Sequence, residues 1–581
     1  MKCPFVERAC LERECIGWAN GRCFVESLNL KIDTICNLIS KVALEVDLPN
    51  KTLHLNQGGE HIDLKSGSEE ELISTIEQVE EKKVQPHEWE QIKIPEDAAD
   101  AILAVDFGTS LSKVAIKTMG EQESHPIPIG KIAKNILFKD NLIDSTEEGK
   151  DFVEDSFIFI DDDKKIFCGT LARHKFLKSS GIIKPILNLK KFLISGGVDH
   201  GIDSHHFPEG VSLTIKEVLG TYLAYLFHLG RQSIGADVKI NINIEGILRN
   251  FSIPVWEDKE YRQKVIQLMK DAIANAYCIE HWFKEDLIKG VQISILKQAF
   301  EEAQKYQQQA KKLFNVEVTE PVAAAFSLIK GIPVVPGRPY NLYVIDIGAG
   351  SADFALLTIT ESTNFLHKQG FADKGVSAWD NGLRYLLQSK VKEKYGLPEH
   401  DPDYIIFCRN LDISLMREKE KVIASGDGYP INVWPASTNL VMITRDELDN
   451  TEPVKETLNE IRKQFIEFIK QTINILGSKA PSQEDPSNAG FYITGGGSFI
   501  PSIVNCIKEC TGIIGPSFPS RVIVGFIPPE YASNDSIATD YPMLAVSLGA
   551  TEPMYPPEKP MPPLTVDPGE HEIGKFRIKG V

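Results

Sequence analysis

The 581-residue chain has no unbroken apolar run of the length a bilayer demands, so no helical membrane span is expected. It has no surplus of basic residues either. Its 63 Lys and Arg stand against 81 Asp and Glu, a net charge of -18, which argues against general binding to nucleic acid or to an anionic membrane. Cysteine is scarce, ten in all, and suits a reducing compartment better than a disulfide framework. The opening stretch Met1–Arg8 lacks the apolar core of a signal peptide, and the expected location is the cytoplasm. With 42% hydrophobic and 25% charged residues the composition is that of an ordinary globular protein, long enough for roughly two to four domains.

What is present is a pair of matching loops far apart in the chain. One runs from Ile102 through Asp106, Gly108, Thr109 and Ser110 to Ile116. The other runs from Leu342 through Asp346, Gly348, Gly350, Ser351 and Asp353 to Leu357. Each is an apolar run, an Asp, a turn of glycine and hydroxyl residues, then a second apolar run, which reads as strand, turn, strand. The glycines allow a ligand close to the backbone and turn N–H groups toward it. An Asp at the strand end repels phosphate directly but holds one through hydrated Mg²⁺, which takes oxygen ligands and keeps several waters. Two such hairpins face to face would clamp a metal-bound polyphosphate. A third loop, Gly490 to Pro501, runs a strand into Gly495, Gly496 and Gly497 and then a helix, with Pro501 in its first turn. There an adenine could lie against backbone, with Phe499 to stack on it. Neither a P-loop nor a dinucleotide G-x-G-x-x-G motif occurs at these loops.

In this order the three loops resemble the two phosphate motifs and the adenosine motif of the actin/sugar-kinase/heat-shock ATPase superfamily. Within it the resemblance is to the ATPase domain of the seventy-kilodalton heat-shock chaperones. Glu320-Pro321-Val-Ala-Ala-Ala325 resembles their segment connecting the lobes, Arg417–Ser425 the helix that holds adenosine, Phe251–Val255 a first-lobe strand, and Gly375–Asn381 the loop after the second hairpin. The likeness covers about Ala101 to Ala550. It implies an α/β, two-lobed actin-like ATPase with ribonuclease-H-like lobes over 101–552, ATP or ADP with Mg²⁺ as ligand, and slow hydrolysis.

The same resemblance implies the site roles. Asp106 and Asp346 would hold hydrated Mg²⁺. Thr109, Ser110 and Ser351, with the N–H groups of Gly108, Gly348 and Gly350, would bind phosphates. Glu320 would position water and metal, supported by Asp353. Arg173 falls where the chaperones place a catalytic lysine. Glu418 and Lys421 would meet the ribose and Ser425 the adenine edge. The chain departs from the chaperone pattern at Phe499, where they carry an arginine, and at Met543 and Ala378, where they carry acidic residues.

Outside the core, Cys3, Cys10, Cys15 and Cys23 fall in a unit of residues 1–45 with spacing C-x6-C-x4-C-x7-C. Crowded thiolates call for a cation, zinc ahead of an iron–sulfur cluster, and free thiols are the alternative. A helix is expected over Leu28–Leu44, a hairpin over Lys51–Leu64 turning at Gly58-Gly59, a capped helix from Ser68, and a linker over Pro86–Asp100 within a polar segment of residues 46–100. Long helices are expected over Glu257–Asn275 and Lys297–Phe314, with Cys278–Gln292 an insertion. His200, His205 and His206 read as a solvated loop ahead of a metal site. The proline-dense tail, residues 553–581, tends to polyproline II, and it is too short to hold the chaperones' peptide-binding domain. The expected function is a nucleotide switch, chaperone-like or regulatory, that signals to a protein partner through the N-terminal unit or the tail. Its rivals are an actin-like filament protein, a small-molecule kinase, and an ATP-dependent activator carrying an iron–sulfur cluster.

Overall fold

The computed structural model describes residues 88–553 apart from 96–100, 141, 144–149, 180–181, 191–201, 237–246, 257, 333, 397–400, 433–439, 478–479 and 482–485; before residue 88 it describes the backbone of five short strands. The chain divides into two units, Met1–His87 and Glu88–Val581.

In the first unit Ala43–Asp47, Thr52–Gln57 and Glu60–Lys65 form an antiparallel sheet. Gln57 faces Glu60 across the turn, so the hairpin expected around Gly58-Gly59 is present. Trp18–Ala19 pairs with Arg22–Cys23. Cys3, Cys10 and Cys15, the side chain of Cys23, the helix expected to start at Ser68, most of the helix expected over Leu28–Leu44 and the tail beyond residue 553 lie outside the described residues. The last two residues of that helical reading, Ala43 and Leu44, fall in strand Ala43–Asp47.

The second unit is mixed α/β, and its core repeats one topology twice. In the first sheet the strand order is Phe314–Thr319, Leu248–Ile253, Ala101–Asp106, Leu111–Thr118, His125–Ile127. In the second it is Val522–Val524, Ala489–Thr494, Tyr340–Ile347, Ala352–Ile359, Asn364–Ala372. In both, three antiparallel strands come first in the chain and two later strands add in parallel on the far side of the first. Strands Ala101–Asp106 and Ala489–Thr494 are buried along their whole length, as strands covered on both faces must be, which is why they read as unbroken apolar runs. The first sheet is flanked by a smaller antiparallel sheet, Ile186–Leu187, Phe157–Ile160, Lys165–Cys168, Val291–Gln292.

One hydrophobic cluster contains residues of both large sheets, Ala104 and Ala115 with Val344 and Leu357, together with helices Glu320–Ile329 and Asp535–Gly549. These helices cross so closely that a Cβ on Gly549 would lie 1.7 Å from the Ala323 carbonyl oxygen. Only glycine fits there, and the Ala323-Ala324-Ala325 run keeps the facing surface small.

Three local expectations change. The helix from Lys259 continues to Phe283, so Cys278–Phe283 is core rather than the start of an insertion. The stretch Lys297–Phe314 is helix Ile293–Ala303, short turns, and the start of strand Phe314–Thr319, whose alternating Asn-Val-Glu-Val pairs in the sheet. From Glu88 on, the expected linker is part of the second unit and packs within it. Trp89 lies against Trp282, ring centroids 4.9 Å apart, Trp282 Nε1 donates to the Glu90 carbonyl at 2.9 Å, and Ile92 is buried.

Candidate functional site

Asp106 is the last residue of the first strand of its hairpin and Asp346 the last but one of the corresponding strand, and both are buried. The two turns meet, since a Cβ on Gly350 would lie 2.7 Å from Thr109 Oγ1. Each turn is fixed from behind. Ser156 Oγ donates to the Gly108 carbonyl at 2.8 Å and Ser156 N to the Ser110 carbonyl at 2.9 Å. In the second turn Gly348 N donates to the Ser351 carbonyl, and Val376 N and Ser377 N donate to the carbonyls of Gly348 and Ala349, all at 2.9 Å. The segment expected after the second hairpin therefore braces it, and Gly375 fits because a Cβ there would lie 2.5 Å from the Gly348 oxygen.

The third loop joins the same place. Thr494 is the parallel register partner of Asp346, and its hydroxyl donates to Asp346 Oδ1 at 2.9 Å. Gly495 has φ +76°, and a Cβ there would stand 2.5 Å from the Ile347 oxygen. Gly497 packs on Ile347, while Gly496 faces open space. Phe499 is 49% exposed, open to stacking, and Pro501 starts helix Pro501–Thr511.

Beneath the turns lies a charge cluster. Asp106, Glu320, Asp346 and Asp353 are each buried. Two lysines answer them: Lys113 Nζ is 2.9 Å from Asp106 Oδ2, and Lys190 Nζ makes a close ion pair with Glu320. Burial would push Lys190 down, but Glu320 and Asp106 outweigh it and keep the ammonium charged. For Asp106, burial is outweighed by Lys113 and Lys190 together, which hold the carboxyl below its ordinary value. Asp346 is different: burial, then the charges of Glu320 and Asp106, push it up to about 7. Burial and Glu320 push Asp353 to about 8, although it accepts Ser351 Oγ at 2.6 Å and Val255 N at 3.0 Å. The second hairpin is thus short of positive charge, and its oxygen donors suit a hydrated Mg²⁺. Among the described residues no three His, Cys, Asp or Glu side chains converge as a direct metal cage.

Beside the turns a cleft of about 420 Å³ is lined by Leu111, Asp155, Arg173, Arg417, Glu420 and Lys421 among others. Arg417–Ser425 is helical as expected, the end of helix Pro402–Ser425. Of the three residues assigned to adenosine, Lys421 lines the cleft. Glu418 pairs with Lys421 at 3.1 Å, and Ser425 Oγ donates to the Val422 carbonyl of its own helix at 3.1 Å. Arg173 also lines the cleft, with its Nε on Asp155 Oδ2 at 2.9 Å. Lys150 bridges to Glu420 at 2.9 Å and contacts Met543 Sδ at 3.7 Å.

Sequence reasoning missed Lys190, Lys113, Asp155 and Thr494. Lys113 had a signal: it stands seven residues after Asp106, where the second hairpin carries Asp353. Lys190 had none, in a segment without motif or period. His205 is exposed and His206 half-buried in a short 3₁₀ turn, with His206 Nδ1 3.1 Å from the Lys184 carbonyl, while His200 lies outside the described residues. No helix among the described residues is long and apolar enough to cross a membrane. No family model matches the chain, and no curated protein matches it.

Proposed function

We propose that this chain is a Mg²⁺-dependent adenine-nucleotide switch with the two-lobed fold of the actin/heat-shock ATPase superfamily and slow ATP hydrolysis. The observation that carries the reading is the repeated sheet topology whose two glycine turns meet at Thr109 and Gly350, over a buried acidic cluster. Phosphates would lie on the N–H groups of both turns, with Thr109, Ser110 and Ser351 as hydroxyl donors. Bound Mg²⁺ would neutralise phosphate charge. Such chemistry needs positioning and charge balance more than covalent help.

Glu320 is set to orient the attacking water, and Lys190 fixes it. The cation first assigned to Arg173 is better supplied by Lys190, which stands in the acidic cluster beneath the turns, whereas Arg173 pairs with Asp155 in the cleft. The base would lie toward Gly495–Gly497 and Phe499. The test is thermal unfolding of the full chain with ADP or ATP and Mg²⁺. A ligand that binds only the folded state raises the melting temperature; no shift at millimolar nucleotide overturns the reading.

A second reading, phosphoryl transfer to a small molecule, is favoured by one observation. Asp155 is the register partner of Leu111 beside the first turn and lines the cleft, where an acceptor hydroxyl could give it a proton. Consumption of ATP only on addition of a small hydroxylated compound would select it.

A further inference from the structure

The two hairpins share one fold but not one charge. In the first, the cross-strand partner of Asp106 is Lys113; in the second, the partner of Asp346 is Asp353. Both partners stand seven residues after their Asp, so these are equivalent positions carrying opposite charges.

The consequences differ at the atoms. Both oxygens of Asp106 are engaged, one by Lys113 Nζ at 2.9 Å and the other by Ser252 Oγ at 3.2 Å. Asp346 gives one oxygen to Thr494, and its Oδ2 has no hydrogen-bond partner among the described residues. Among the described residues Asp353 accepts hydrogen bonds from the neutral donors Ser351 Oγ and Val255 N, and Lys190 is near it in charge but makes its ion pair with Glu320. A dication seeks the acids that lack a cation, and a lysine already on Asp106 repels it. Lys113 Nζ also stands 3.5 Å from where a Cβ on Gly108 would be, so the ammonium sits beside the first turn. Its side chain is 14% exposed, and its four-carbon stem lets the head swing toward that turn.

We infer that the hairpins divide the work: the Asp346–Asp353 hairpin carries the hydrated metal, and Lys113 contacts a phosphate directly, with Asp106 as its positioning residue rather than a metal ligand. This rests on the nucleotide reading above and reassigns Asp106 within it.

The test is binding of a fluorescent ADP analogue and of a non-hydrolysable ATP analogue to the full chain, each with Mg²⁺ and with EDTA. Bound Mn²⁺ is followed in parallel by its paramagnetic resonance. Lys113→Met should weaken nucleotide about tenfold or more in both the Mg²⁺ and EDTA arms, the cost of one charge-assisted contact. Lys113→Arg should restore most of the affinity. Asp346→Asn should abolish the gain from Mg²⁺ and the bound Mn²⁺ signal, and Asp106→Asn should keep both. The inference is overturned if Lys113→Met binds like the parent, or if Asp106→Asn loses the metal gain as Asp346→Asn does. Melting temperatures without nucleotide check each variant's fold; if Asp106→Asn is unfolded, Lys113→Met decides alone. Failure of the parent to bind any nucleotide would instead overturn the function on which this rests.

Discussion

Lys190, just beyond strand Ile186–Leu187, reaches across 130 residues of sequence to Glu320 at the first turn of helix Glu320–Ile329, and both side chains are about 6% exposed. The pair ties the small flanking sheet to the helix that packs into the cluster shared by the two large sheets. Lys190→Met would leave Glu320 buried without its counter-charge, beside Asp106 and Asp353. Removing one member of a buried pair costs about 3–5 kcal/mol. Thermal unfolding should show a large loss for Lys190→Met and a smaller one for Glu320→Gln, since Lys190 keeps Asp106 and Asp353 nearby.

Catalysis separates from binding at the same pair. Glu320→Gln keeps the shape and removes the charge proposed to orient water, so on the proposed function turnover should fall well before nucleotide affinity does. Arg173→Ala should cost less turnover than Glu320→Gln, because its guanidinium pairs with Asp155 in the cleft while Glu320 lies in the acidic cluster. Single-turnover hydrolysis measured beside equilibrium binding checks both. Parent-like hydrolysis in Glu320→Gln would place the water elsewhere.

Asp346 and Asp353 predict the pH dependence. Their folded values, about 7 and about 8, stand above the ordinary 3.8. A raised folded value means that the folded state holds the proton more tightly. The stabilisation is fully present below about pH 4 and is lost as pH rises through 7 and 8, on the order of a few kcal/mol. The nucleotide-free protein should therefore lose stability from this site between about pH 4 and 8. Mg²⁺ needs the ionised acids, so the Mg²⁺-dependent part of the nucleotide shift should grow over about pH 6 to 9, with proton release. Melting curves across pH with nucleotide, with and without Mg²⁺, and calorimetry in two buffers of different ionisation heat read both effects. Asp346→Asn should flatten the trend.

The hairpins and the third loop were legible because their signals are local: glycine and hydroxyl residues between apolar runs declare a turn wherever they occur. Their mutual approach was legible only as a pattern, since nothing in the stretch around Thr109 points to Gly350. Lys190 was invisible because its partner is set by tertiary packing and not by spacing. Trp89 was hidden by the polar residues around it, and one aromatic in a charged stretch carries no periodic signal. The helix expected over Lys297–Phe314 ran too long, into the first residue of strand Phe314–Thr319, because the glutamine- and lysine-rich segment before it has good helix propensity, while pairing with Leu248–Ile253 draws Phe314 into the sheet.

The glycine loop offers the sharpest contrast for its size. Gly495 adopts φ +76°, where a side chain is strained, and a Cβ would lie 2.5 Å from the Ile347 oxygen and 2.8 Å from Asp346 Oδ1. Gly496, next in the chain, has nothing within 4 Å of its would-be Cβ. Gly495→Ala should therefore destabilise the protein by about 1–3 kcal/mol and push on Asp346, so that metal-dependent binding falls as well. Gly496→Ala should leave the melting temperature of the nucleotide-free protein nearly unchanged. If adenine lies on this loop, the added methyl group meets it, and nucleotide affinity falls without loss of stability. Chemical denaturation with and without nucleotide separates the two variants. Equal effects of both on stability would show that the loop is not held as described, and an unchanged affinity in Gly496→Ala would move the base off this backbone.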